Sequence, residues 1–340
     1  PFDAEKFVDF LIDEGVKLPC DDSVESFNRD EALPPFYDET MYKRGQKFFH
    51  DNIFALFLGK LLGLLSVLAI PSIIRILMYT KMSGSAMTAY KRYMSTVFHM
   101  CIWYQSDFTP GSKLWRSVME VKGKHNSVSK RCCTAGLGRI NQRDMALTQF
   151  GFMGYALVKR EKIGLHNAKN EDLQAFVHVW RVIGYVMGLE DRFNICRDSV
   201  EETAEICRVL AYKLLRPAVA KKDKDFVAMA TYLTQGMWTM NPSLETKIYL
   251  NLLDRMLQPP NNSNNNNKEL YIPLNLFQRI NLNFITCVIW TLQFRIVRLY
   301  FNHLQTTALW LMKVCPFLAY YAFGYSNSHV TVLPDDIKDR

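Results

Sequence analysis

The sequence predicts an all-α protein, and three observations carry that prediction. Among 340 residues, 16 glycines and 13 prolines make about 9% of the chain, below the roughly 12% of average usage and too few for many short, turn-linked strands. Apolar residues recur at helical spacing through about residue 256, and polar capping residues stand at the heads of several of these runs. With 49% hydrophobic and 22% charged residues, the chain is too apolar for disorder and long enough for one large domain or two small ones.

Taken in order, residues 1–50 are polar, carry Pro34 and Pro35, and read as short helices and loops packed on a larger body. From Ile53 to Ile74 the chain is almost entirely apolar, broken by Lys60, Ser66, Pro71 and Ser72. That run fits a transmembrane helix about as well as a buried core helix with Pro71 near its end. Residues 51–256 form the main helical domain. Within it, Asn141 is a candidate cap for a helix over Gln142–Val158. Asn170, followed by Glu171 and Asp172, has the composition of a helix start, and that helix should run to about Leu189. Ser199 with Glu202 matches a capping box opening Ser199–Leu215, with Pro217 as a stop. The low-complexity stretch Pro259 to Asn267 has nothing to bury and reads as an exposed loop, assigned to 257–268. Beyond it, 269–340 should form a C-terminal apolar helical hairpin and tail. Its segments Leu282–Phe294, Leu299–Met312 and Val314–Tyr325 are rich in aromatics and separated by Arg295, Arg298 and Lys313. This composition fits an interfacial membrane element, or a Trp-rich hairpin inside a soluble bundle.

The net charge of +8 suits an anionic membrane surface or acidic cofactor groups. Nucleic acid is disfavoured, because no basic run interleaved with aromatics stands out. Eight cysteines with no CxxC spacing give neither a zinc site nor a disulfide framework. The first residue is Pro1 and no charged-then-apolar leader follows, as expected of a trimmed chain whose targeting segment lies outside it.

Chemistry concentrates on two segments. On the helix opened by Asn170, the positions Gln174, His178, Arg181, Tyr185 and Gly188 share one polar or small stripe, while nearly everything else is apolar. Such a helix should be buried on most sides and present the stripe to the interior. His178 is a candidate axial ligand for haem iron, with Arg181 one turn away for a propionate. Gly184 and Gly188 would let a flat macrocycle or another helix approach. The plainer reading is a hydrogen-bonded core histidine and glycines that serve helix packing. The Gln142–Val158 segment carries a similar stripe of Asp144, Thr148, Gly151 and Tyr155. Two such helices could enclose a cofactor and an apolar substrate, or be ordinary members of a bundle.

The run from Asp144 through Thr148 to Gly154, followed by Phe176-Val-His178-Val-Trp-Arg181-Val-Ile-Gly184-Tyr-Val-Met-Gly188 and on to Asn194, resembles the ER-bound mpaB-type oxygenase and rubber oxygenase (latex clearing protein) catalytic-domain family. Upstream, Arg92-Tyr-Met-Ser-Thr96 and Val118 to His125 are also similar. The resemblance covers about residues 50–215. It implies an all-α bundle of the latex-clearing-protein type enclosing a haem b pocket. It further implies dioxygen as co-substrate and oxidative cleavage of an isoprenoid double bond to carbonyl products. Carried over by position, His178 resembles the proximal ligand and Thr148 the distal-side threonine. The rubber-cleaving branch has a lysine just before that threonine and an arginine one turn before it; here those positions are Leu147 and Asp144, with Arg143 displaced by one.

The expected function is thus a haem-dependent oxidoreductase acting on an apolar isoprenoid or lipid at the endoplasmic reticulum membrane. In that reading Thr148, Arg143 and Asp144 shape the oxygen-binding face, and His178, Arg181, Tyr185, Gly184, Gly188 and His125 hold the cofactor. The departure at Leu147 and Asp144 favours haem binding over rubber cleavage. It leaves a non-catalytic, membrane-associated haem or lipid binding protein as the alternative.

Overall fold

The computed structural model describes residues 2–21, 32–259 and 271–333. Its architecture follows from where the apolar runs are broken. The run beginning at Ile53 makes two helices rather than one. α3 spans Ile53–Leu68 and α4 spans Pro71–Thr80, with Pro71 in the first turn of the second. Proline tolerates that position because its missing N–H would have no intrahelical partner there. Ile70 before it is extended, as the residue preceding a proline prefers. Pro71 therefore starts a helix instead of closing one. Most of α3 is buried, and no single helix among the described residues is long and apolar enough to cross a membrane.

Before these lie α1 (Ala4–Asp13) and α2 (Glu39–Asp51), each opened by an aspartate side chain that accepts a backbone N–H of the first turn. α5 (Ala86–Gln105) starts from a Ser85/Thr88 capping box, α6 (Lys113–Thr134) from Ser112 and α7 (Gln142–Val158) from Asn141. α8 spans Asn170–Val186. Asn170 is its first helical residue rather than its cap, because its side chain is drawn across to Glu201. α9 (Val200–Leu210) runs into a π-helical turn at 211–215, and the chain stays helical through α10 (Arg216–Ala220). Pro217 does not stop this segment: the wide turn before it absorbs the carbonyl that the proline ring would otherwise strike. α11 (Lys224–Met237) and α12 (Thr246–Met256) complete the main body. The Asn-rich stretch 261–267 lies outside the described residues.

Three antiparallel or crossing pairs build the core: α3 with α7, α2 with α8, and α5 with α11. Glycine sets the closeness of the first two. A Cβ on Gly63 would lie 2.0 Å from the Gly151 carbonyl oxygen, and one on Gly45 would lie 2.5 Å from that of Ala175. Neither helix pair could approach this closely with a side chain at the crossing.

The C-terminal part is helical as its composition predicts: α13 (Leu276–Thr291), α14 (Arg295–Val314), α15 (Phe317–Phe323) and the short α16 (Tyr325–Ser328). α13 and α14 meet at a bend of 118°. His166, in the turn before α8, docks them by a 3.1 Å contact of Nε2 with the Ile289 carbonyl. The outer faces of the C-terminal helices stay exposed: Phe277 of α13 is 68% exposed, Ile296 of α14 82% and Tyr321 of α15 85%.

Candidate functional site

The helices close around a cavity of about 1240 Å³, larger than the roughly 300–1,000 Å³ that suits one drug-sized ligand. Its walls are mainly aliphatic and aromatic, drawn from α3 through α8 and closed by Gln305 and by His329 to Thr331. Within this apolar lining stand Arg92, Thr96 and His99 of α5, Glu120 and His125 of α6, Asp144 and Thr148 of α7, and Lys60 of α3.

The two helices chosen from their polar stripes behave differently. On α7 the stripe does face the cavity, through Asp144, Thr148 and Gly151. Asp144 is nearly inaccessible, and its Oδ1 accepts from Arg143 Nε and Nη2 at 3.1 and 2.9 Å and from the Ser72 hydroxyl at 3.0 Å. Arg143 therefore serves as the counter-charge of Asp144 and does not itself line the cavity. The Thr148 hydroxyl donates back to the Asp144 carbonyl at 2.8 Å, leaving its oxygen lone pairs on the cavity side chain.

On α8 the polar stripe points the other way. Gln174 donates to the Arg197 carbonyl, and His178 Nε2 accepts the backbone N–H of Asp38 at 3.1 Å, fastening the first turn of α2. Arg181 forks onto Asp191 at 3.1 and 3.2 Å, bonds Asp198, and lies 4.1 Å over the Phe36 ring. Tyr185 meets the edge of that same ring. None of His178, Arg181, Tyr185 and Gly188 lines the cavity. Gly188, at φ +105°, allows the chain to pass the Cys20 carbonyl, which a Cβ would approach to 2.5 Å. The cavity instead takes the opposite face of α8, with Trp180, Ile183, Gly184 and Met187. Burial holds the His178 imidazole below the usual histidine range, with Asp38 opposing the shift. His178, Arg181, Tyr185 and Gly188, expected from sequence to contact a cofactor, thus do not line this cavity; His178 and Arg181 bond the 34–38 and 190–198 loops instead.

The histidines that line the cavity are His99, His125 and His329, and of these His125 sits on α6 beside Arg92. Its Nδ1 is buried with no hydrogen-bond partner. Burial, reinforced by the nearby Arg92 cation, pushes its pKa down to about 4, so the ring is neutral at physiological pH. Arg92 donates to the Thr80 hydroxyl at 3.3 Å and forms no ion pair among the described residues. A further cavity histidine, His99, contacts the Ser117 hydroxyl through Nδ1 at 2.8 Å; its Nε2 lies 3.5 Å from Glu120 and, like His125 Nδ1, is buried without a hydrogen-bond partner. Sequence periodicity passed over Arg92, Thr96, His99 and Lys60; the sole signal was the Arg92 to Thr96 and Val118 to His125 similarity upstream of the favoured block.

The chain is thus an all-α bundle built around a large, mainly apolar cavity with polar side chains, among them His99, His125, Arg92 and Arg131, in its wall. Residues 46–261 match the family described as ER-bound oxygenase mpaB/B'/Rubber oxygenase, catalytic domain, and the chain belongs to that family. The structure of latex clearing protein in its closed state is similar with a TM-score of 0.56 at 15% identity, over 91% of this chain and 89% of that one, and supports the all-α fold. No curated protein sequence matches significantly.

Proposed function

We propose that the chain is a haem b-dependent oxygenase that cleaves a C=C bond of an apolar isoprenoid or lipid, with His125 as the iron ligand. The observation that supports this reading best is the convergence of His125, Arg92 and Thr96 on one apolar chamber. The residues fit the group. A neutral imidazole with a free nitrogen suits iron. A buried guanidinium without a carboxylate partner suits a propionate, because pairing removes the cost of an uncompensated charge. The chamber also has room for a substrate beside a macrocycle. When bound, haem supplies dioxygen activation. The protein would contribute the rest: Arg92 anchoring, the Thr96 and Thr148 hydroxyls as polar groups on otherwise apolar walls, and exclusion of water by Phe152, Ile183 and Met187. The net reaction adds one dioxygen across the alkene and yields two carbonyl ends, one oxygen atom to each.

Haem-loaded protein given a polyisoprenoid should consume oxygen and release aldehyde and ketone fragments in equal amounts. A loaded protein that turns over no polyisoprenoid or unsaturated lipid would instead be a haem binding protein without catalysis.

We also propose that α13 and α14 rest on the endoplasmic reticulum membrane surface. Leu276, Phe277, Ile280 and Phe284 share one exposed face of α13, and Arg295, Arg298 and Lys313 flank the exposed apolar residues of α14. This is the composition of an interfacial helix that pairs apolar insertion with attraction to anionic headgroups. The chain should cosediment with phosphatidylserine-containing vesicles. Replacing exposed Phe277 and Phe284 with aspartate should weaken that binding by about tenfold or more without changing the fold, since two buried rings are removed from lipid.

A further inference from the structure

Lys60 is the one lysine of the long apolar run, and nothing derived above uses it. Its side chain is only 8% exposed. The amine sits within five aromatic rings: 4.7 Å from the Trp180 centroid, 5.3 Å from those of Tyr104 and Phe176, 5.6 Å from Phe49 and 5.8 Å from Phe152. Nζ donates to the Phe152 carbonyl at 3.1 Å and lies 3.4 Å from the Tyr104 hydroxyl oxygen. Trp180 Nε1 donates into that same oxygen at 2.8 Å, so the phenol's own proton is free to turn toward the amine. No carboxylate pairs with Lys60 among the described residues; burial raises the pKa of the neighbouring Tyr104 phenol and pushes that of the Cys101 thiol up to about 12, so neither supplies a counter-charge. The rings attract the charged amine, whereas burial without a carboxylate counter-charge disfavours it. Burial accordingly moves the lysine well below its ordinary range. Lys60, Phe152 and Trp180 all line the chamber.

We propose that Lys60 is a covalent capture site for apolar carbonyl compounds: Nζ adds to the carbonyl carbon of an aldehyde or ketone in the chamber and forms an imine. A desolvated amine with no carboxylate partner, beside an apolar cavity, is the arrangement that makes lysine nucleophilic. The new C–N bond forms as the C=O π bond opens, giving a carbinolamine. The oxygen then departs as water together with both amine protons, and the Tyr104 hydroxyl is placed to relay one of them. No oxidant or reductant takes part. The ligand class is set by the walls: an aliphatic or isoprenoid chain bearing the carbonyl is accommodated, and a small charged aldehyde is not. If the oxygenase reading holds, the same amine meets the carbonyl ends made in the chamber.

The test uses the full chain, nonanal as the probe and sodium cyanoborohydride, which reduces an imine by hydride addition at carbon and protonation at nitrogen. Peptide mapping at about pH 7 should find Lys60 alkylated about tenfold faster than any surface lysine, as expected for an amine whose pKa burial lowers. Glyoxylate, charged and small, should show no such preference. In Lys60→Met, verified as folded by circular dichroism, the fast adduct should vanish while slow surface labelling persists. Labelling spread over surface lysines with Lys60 untouched overturns the proposal, and the wild-type map alone decides this if the variant does not fold. The probe is added and no haem is needed, so failure here is separate from failure of the oxygenase reading.

Discussion

His125→Ala should abolish the haem Soret band of the purified protein while leaving its helical circular dichroism intact, and His178→Ala should do the reverse. His125 lines the chamber with an unpartnered Nδ1 and a neutral ring, so its removal should take away the proposed iron ligand and little else. His178 accepts the Asp38 N–H at the start of α2. Deleting it strands that donor, at an expected cost of about 1–3 kcal/mol in urea unfolding, and should leave the proposed haem site unchanged. A folded His178→Ala protein that has lost its Soret band, beside a His125→Ala protein that keeps it, would return the axial role to α8.

The largest stability effect is expected from Gly63→Ala. The added Cβ would lie 2.0 Å from the Gly151 carbonyl oxygen, a backbone atom in the middle of α7 that no rotamer change can move. The α3–α7 pair must separate, and about 3 kcal/mol should be lost. Because Gly151 and its neighbours Thr148 and Phe152 line the chamber, haem affinity should fall with it. Gly123→Ala in α6 is the control. Nothing lies within 4 Å of its Cβ position, so the helix-propensity gain of about 0.5–1 kcal/mol should appear instead. Equal urea midpoints for the two variants would show that the close crossing does not govern stability.

The helices were legible because capping and apolar spacing are local properties. Ser85, Ser112, Asn141 and Ser199 each accept a backbone N–H from the first turn they precede. The site was legible only in part. Periodicity says which residues of α8 share a face, but not what that face meets. Its polar stripe meets two loops that satisfy it, and the cavity lies behind the apolar face. On α7 the polar stripe does face the chamber, through Asp144 and Thr148. Lys60 reads in sequence as an interruption of an apolar run; its five rings come from four different helices, and only the folded chain assembles them. The absence of a lysine before Thr148 is likewise a local fact, and the chamber holds an amine all the same, contributed by α3.

The wall of the chamber is finished by His329, Val330 and Thr331, held in place by the Tyr90 hydroxyl on the Ser328 carbonyl and by Lys91 on Asn327. The chamber wall is thus drawn from segments at both ends of the described chain, so a chain cut before His329 should lose part of that wall and bind any guest of the chamber more weakly.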